Sequence, residues 1–194
     1  LLKYRKIFGG NMKKFLLIVL LPFTLMVNAA ANYAYGEYWT ATLEDDDLST
    51  EADMYGGELG FAGGAGNMYF GSSAGWGTVE WDDYSVELDF AAWTVEGGYA
   101  FSDIANGAFI IGAQYVSTEI QNPLGGDNIE DSDTNVMIGY GKLSGEGVDY
   151  VMTYTDSFFQ SRLFFPFGEN LTANVSFGMD DDGNKFGVGI AFKY

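Results

Sequence analysis

The chain has 194 residues, with 27 acidic against 9 basic side chains and a formal net charge of −18. That balance argues against a nucleic-acid partner, because phosphate binding needs clustered Lys and Arg. Histidine and cysteine are both absent, which removes Ser-His-Asp and Cys-His nucleophile systems, the usual zinc sites and any disulfide.

In chain order, Met12-Lys13-Lys14 is a short basic region, followed by an apolar run from Phe15 to Val27 interrupted by Pro22, and then by Ala29, Ala30 and Ala31. This is the layout of a secretory signal peptide spanning 12–31, with cleavage expected after Ala31 or, second, Ala29. The apolar run is too short for a comfortable membrane helix, which needs about 20 apolar residues. Residues 1–11 read as translated upstream sequence with Met12 as the start, Gly9-Gly10 being where codons can spell a ribosome-binding site. The folded part is then 32–194. It holds all 27 acids but only Lys142, Arg162, Lys185 and Lys193 as bases.

Ten strands are expected beyond that point, with eight as the alternative count. They cover about 33–43, 53–62, 67–76, 84–101, 107–118, 134–143, 147–155, 158–167, 171–179 and 185–194, separated by Gly-, Asn- and Asp-containing turns. In the fourth, Val86, Leu88 and Phe90 alternate on even numbers, and Ala91, Trp93, Val95, Tyr99 and Phe101 on odd ones. The change of phase predicts a β-bulge near Phe90-Ala91.

The last strand alternates without a break. Phe186, Val188, Ile190, Phe192 and Tyr194 share one face, and Lys185, Gly187, Gly189, Ala191 and Lys193 the other. The ninth puts Thr172, Asn174, Ser176 and Gly178 on one face. Small polar residues opposite aromatics suit a crowded lumen inside a lipid-facing wall better than a soluble lipocalin-like barrel, which exposes charge. About ten residues at roughly 3.3 Å, tilted by about 40°, span roughly 25 Å, the height of an outer-membrane apolar band.

An alternating terminal strand ending on an aromatic residue resembles the assembly signal of Gram-negative outer-membrane β-barrel proteins. With the signal peptide, it makes the whole folded part similar to the small porin-like barrels of that class. The resemblance implies an all-β, closed, antiparallel up-and-down transmembrane barrel in the outer membrane of a Gram-negative bacterium. Its partners would be outer-membrane lipid, lipopolysaccharide and the barrel assembly machinery, and a monomer is favoured. Both termini would be periplasmic. The outward connections would be acidic loops holding most of the acids, among them Glu44 to Asp47, Glu51, Asp53, Glu80, Glu87, Asp89, Glu130 and Asp180 to Asp182. Tyr33, Tyr35, Tyr99, Phe101, Phe165, Phe167 and Tyr194 would form the periplasmic aromatic girdle.

Glu58, Glu96, Arg162 and Lys142 are charges lying within expected strands. They are candidate lumen charges, either gating a pore or pairing in a closed interior. Lys142 shares parity with Val136, Ile138 and Tyr140, which leaves its direction open. Asp131, Asp133 and Asn135 have the one-three-five oxygen spacing of a calcium loop, but Val136 stands where such a loop needs glycine. Weak divalent-cation association at Asp45, Asp46, Asp47, Asp131 and Asp133 is the most these acids support. No cofactor or metal centre is expected. The barrel enzymes of the class rely on a histidine that this chain lacks, so a non-enzymatic surface role in integrity, adhesion or partner binding is expected. A narrow channel for small solutes or ions is the alternative.

Overall fold

A computed structural model describes residues 31–45, 50–81, 86–122, 127–156, 158–181 and 183–194. Residues 1–11, the expected signal peptide up to Ala30, and Asp46 and Asp47 lie outside them. The described strands are β1 (Ala31–Asp45), β2 (Thr50–Ala65), β3 (Met68–Trp81), β4 (Val86–Ala100), β5 (Ala108–Ile120), β6 (Ile129–Lys142), β7 (Asp149–Thr155), β8 (Phe158–Pro166), β9 (Leu171–Met179) and β10 (Gly183–Lys193). They form a closed antiparallel up-and-down barrel. The ten-strand count is the one expected, and β10 closes on β1 from Tyr33↔Lys193 to Leu43↔Gly183. Closure removes the sheet edges that a membrane does not tolerate.

Parity gives each face its chemistry. On β10, Phe186, Val188, Ile190 and Phe192 are exposed, as is Tyr194 just after it, while Gly187 and Ala191 are buried. On β9, Thr172, Asn174, Ser176 and Gly178 are buried and face inward, as expected. Ile138, Val136, Phe109, Ile111, Val95 and Trp76 continue the exposed apolar surface around the wall. So large an apolar surface belongs against lipid. The inner face is crowded: a Cβ on Gly189 would lie inside contact distance of the Gly36 carbonyl.

The wall is uneven. β1 to β6 have 13 to 16 residues each, whereas β7, β8, β9 and β10 have 7, 9, 9 and 11. Glu44, Glu51, Asp53, Glu80, Glu87, Asp89, Glu119, Glu130, Asp131 and Asp133 therefore belong to strands that continue beyond the lipid-facing band, not to loops.

The bulge expected at Phe90-Ala91 does not exist. β4 pairs with β3 without interruption from Met68↔Tyr99 to Trp81↔Val86, and with β5 from Phe90↔Ile120 to Ala100↔Ile110. What changes there is the environment. In the upper part of β1 to β5 the inner face is apolar: Trp39, Ala52, Val79 and Phe90 pack with Leu43, Met54, Trp81 and Ile120. The outer face at that height carries Asp53, Glu80 and Glu87, paired side by side across β2, β3 and β4. Below, apolar residues face out and polar ones in. The phase shift marks where the wall leaves the apolar band while the backbone continues straight.

The end at which β1 begins and β10 ends is filled. Ile104, in a short 3-10 turn (Ile104–Asn106) between β4 and β5, is fully buried with Met137, Leu143 and Phe164. Tyr33 and Tyr35 join this cluster instead of the aromatic girdle, because odd residues of β1 point inward. The Tyr33 ring stacks on Phe164 at 4.1 Å between centroids. Tyr99, Phe101, Phe165, Phe167 and Tyr194 do face outward at that end.

Candidate functional site: the charged lumen

Glu37 and Glu58 are direct cross-strand partners on β1 and β2, both pointing inward and both buried. Two carboxylates side by side in a low-dielectric interior repel strongly unless cations stand between them. Arg162 supplies the first from β8, with its Nη2 3.2 Å from Glu37 Oε1 and 2.8 Å from Glu58 Oε1. Lys185 on β10 supplies the second, its Nζ 2.8 Å from Glu58 Oε2.

Neutral donors complete the shell. Ser176 Oγ donates to Glu37 Oε1 at 3.0 Å, Asn174 Nδ2 donates to Glu37 Oε2, and the Tyr35 hydroxyl donates to Glu58 Oε1 at 2.9 Å. The Arg162 guanidinium lies 3.9 Å above the Tyr35 ring centroid, and Lys185 Nζ lies 4.9 Å from that of Trp39. Two acids and two bases cancel, so the network is neutral, and it joins β8 and β10 to β1 and β2 through the lumen.

Glu96 stands apart on β4. The Tyr69 hydroxyl donates to it, and Gln114 Nε2 donates at 3.2 Å. No Lys or Arg among the described residues lies within ion-pair distance of it. Toward the terminal end, fully buried Asp149 accepts hydrogen bonds from the Tyr33 hydroxyl at 2.6 Å, Gly145 N at 2.6 Å, and Ser144 N and Oγ at 3.0 and 2.9 Å. It ties the turn between β6 and β7 to the plug.

Of the four expected lumen charges, Glu58, Glu96 and Arg162 face inward. Lys142 does not: inward parity on β6 belongs to Met137, Gly139 and Gly141, and Lys142 lies with exposed Val136 and Ile138 on the outer face, opposite Tyr150. Sequence reasoning missed Glu37, Lys185 and Asp149. Parity on β10 had already set Lys185 opposite the aromatics, which is a usable signal. Asp131 and Asp133 point inward near the far rim, but they lie in β6, an extended strand. Extended backbone separates alternate side chains by nearly 7 Å, so a wrapped calcium loop does not form. Among the described residues no group of three or more acids is arranged to hold a metal ion. The side chain of Asp45 is not described.

Above the network the lumen opens into a vestibule with two adjoining lobes. One, of about 230 Å³, is bounded by Trp39, Leu43, Met54, Phe90 and Phe158. The other, of about 410 Å³, is bounded by Glu96, Gln114, Asp133, Asn135 and Gln160. A ten-stranded closed wall with an apolar outer belt, a polar interior and a plugged terminal end decides the architecture. The fold is that of a small outer-membrane β-barrel protein.

No protein-family model matches the chain, and no curated protein does. Among solved structures it is similar to Ail of Yersinia pestis in complex with the heparin analogue sucrose octasulfate, with 14% identity, 87% of this chain and 100% of that one covered, and a TM-score of 0.42. It is also similar to Neisserial surface protein A (11% identity, 84% and 97% covered, TM-score 0.46) and to the β domain of the Bordetella autotransporter Brka (12%, 84% and 100%, TM-score 0.49). The likeness is one of barrel architecture, and no role follows from it.

Proposed function

We propose that the protein is a non-conducting, non-enzymatic barrel of the Gram-negative outer membrane that serves a surface role, displaying the acidic far rim to the outside. One observation carries this reading: the lumen is obstructed twice. The apolar plug of Ile104, Met137, Leu143 and Phe164 fills the terminal end, and the Arg162 network joins β8 and β10 to β1 and β2 through the lumen above it. An ion crossing would have to break buried charge pairs and pass packed apolar side chains.

Signal-peptide export, periplasmic termini and insertion by the barrel assembly machinery complete the proposal. Cleavage after Ala29 leaves β1 whole, whereas cleavage after Ala31 removes its first residue, which pairs with Gly64. Lipopolysaccharide is the nearest partner for the outward acids of β2 to β4, through bridging divalent cations between their carboxylates and its phosphates.

Planar-bilayer recording of the purified barrel is the test. A silent bilayer is expected. Stable, reproducible single-channel steps would overturn the closed reading in favour of a narrow channel.

A further inference from the structure

β6 has a strand on both sides for only part of its length. It runs against β5 without a break, from Ile120↔Ile129 to Ala108↔Gly141. On its other side β7 reaches only from Met137↔Thr155 to Lys142↔Tyr150. Among the described residues, Ile129 to Val136 therefore has no partner strand on the β7 side. At the far flank of the same gap only Glu44 and Asp45 of β1 extend past β10, so the long free edge belongs to β6. Every residue from Ile129 to Thr134 is exposed, and Val136 is 72% exposed.

The register says which main-chain groups this edge presents. Gln121 N donates to Asp89 O at 2.8 Å and Phe101 N to Phe109 O at 2.9 Å, so odd residues of β5 bond to β4 and even ones to β6. Those even residues stand opposite odd ones of β6, as in Val116↔Asp133 and Thr118↔Asp131. The main-chain groups of Glu130, Ser132 and Thr134 consequently point away from β5, into the gap. Two of their donors are held in a way that a paired strand does not need. Asp131 Oδ1 accepts from Ser132 N at 2.8 Å, and Asp133 Oδ1 accepts from Thr134 N at 2.7 Å. Each carboxylate sits where the carbonyl of a neighbouring strand would otherwise accept. An exposed row of such groups is a template for another chain.

We infer that the edge from Ile129 to Val136 is a docking site for an extended segment of another protein, with Lys or Arg at alternate positions. The segment adds to β6 as a strand. Its carbonyls replace the two carboxylates on Ser132 N and Thr134 N. Alternate side chains share a face, so its basic residues meet the released Asp131 and Asp133 together. Main-chain bonds then supply affinity and the alternate side chains the choice of partner, as in strand addition generally. A second copy is the poorer occupant, because two β6 edges would set Glu130, Asp131 and Asp133 against like charges.

The inference deepens the surface role proposed above and rests on the far rim facing outward. Nanodiscs leave both ends of the barrel accessible, so the edge can be tested apart from that reading. The probe is a capped heptapeptide of alternating lysine and valine, titrated into the barrel in phosphatidylcholine nanodiscs, with empty nanodiscs as the blank. Saturable binding is expected, with slowed hydrogen exchange at the amides of Ser132 and Thr134, which loose charge attraction would not produce. The matching peptide of glutamate and valine should not bind. Asp131→Asn combined with Asp133→Asn keeps an acceptor on each amide and should weaken binding by about tenfold, as two exposed ion pairs are lost. Thr134→Pro removes one donor from the open side of an edge, where proline is tolerated, and should abolish binding. If that variant does not assemble, exchange at the two amides of the unaltered barrel decides. No saturable binding, exchange unchanged at both amides, equal binding of the glutamate peptide, or full binding by Thr134→Pro would each overturn the site. So would a dimer in which both amides are protected before peptide is added. Peptide binding by a barrel that conducts would overturn the closed lumen and leave the docking edge standing.

Discussion

Arg162 crosses the lumen from β8 to form a 2.8 Å ion pair with Glu58 on β2, a strand that is not its neighbour in the wall. The pair braces the barrel from inside, where strand-to-strand hydrogen bonds cannot reach. Because Glu37 stands directly beside Glu58, the same guanidinium also makes two adjacent carboxylates tolerable.

Replacing Arg162 with Met should therefore destabilise the barrel by about 3–5 kcal/mol, the cost of stranding buried charge. Urea unfolding in detergent micelles, followed by tryptophan fluorescence, measures it. Adding Glu58→Gln to Arg162→Met should recover part of the loss, since one orphaned carboxylate then disappears. A double variant no more stable than Arg162→Met would show that the charges themselves do not set the cost.

Asp149 satisfies four donors from one buried carboxylate. Asp149→Ala should cost about 1–3 kcal/mol, as those donors lose their acceptor, and Asp149→Asn should cost less because one oxygen remains. Hydrogen exchange should rise first at the amides of Ser144 and Gly145. Unchanged protection at those two positions would show that Asp149 does not hold the turn.

Ile104 is completely buried in the plug although it comes from a connection between strands. Ile104→Ala should destabilise the barrel by about 2–5 kcal/mol, the range for large-to-small changes in a packed core. The heat-modifiable gel shift should then occur at a lower temperature. A shift at the wild-type temperature would mean that the turn sits loosely on the barrel end.

Tyr194 is exposed on the lipid side, while its backbone N–H donates to the Asn32 carbonyl at 3.1 Å across the closing seam. Tyr194→Asp keeps that backbone bond and removes the aromatic end of the terminal strand. The fraction of heat-modifiable barrel recovered from cell envelopes should fall, while detergent-refolded protein keeps most of its stability. Normal assembly of the variant in cells would refute the reading of the ending as an assembly signal.

Much of the wall was legible in the chain because β9 and β10 obey period-two alternation without exception. Their faces were assigned by small polar residues such as Asn174 and Ser176, which lipid would not accept. The outward placing of Tyr33 and Tyr35 and the bulge expected at Phe90-Ala91 fail for one shared physical reason. Alternation reports two faces but not which is inward, and this barrel packs apolar side chains inside at both ends. Glu37 gave no local sign of its role, because its partners Arg162, Asn174 and Ser176 are more than a hundred residues away in sequence. Lys142 and Arg162 look alike as isolated strand charges, and only register separates the one outside from the one within.

The unequal strand lengths give the molecule a front and a back. Six long strands stand as a curved screen, with Asp53, Glu80 and Glu87 on its convex side and the apolar cluster of Trp39, Val79 and Phe90 on its concave side, and four short strands leave a sill between β6 and β1. A solute approaching across the screen meets charge and height. Among the described strands the mouth of the lumen is thus bounded by a high wall on one side and a low one on the other.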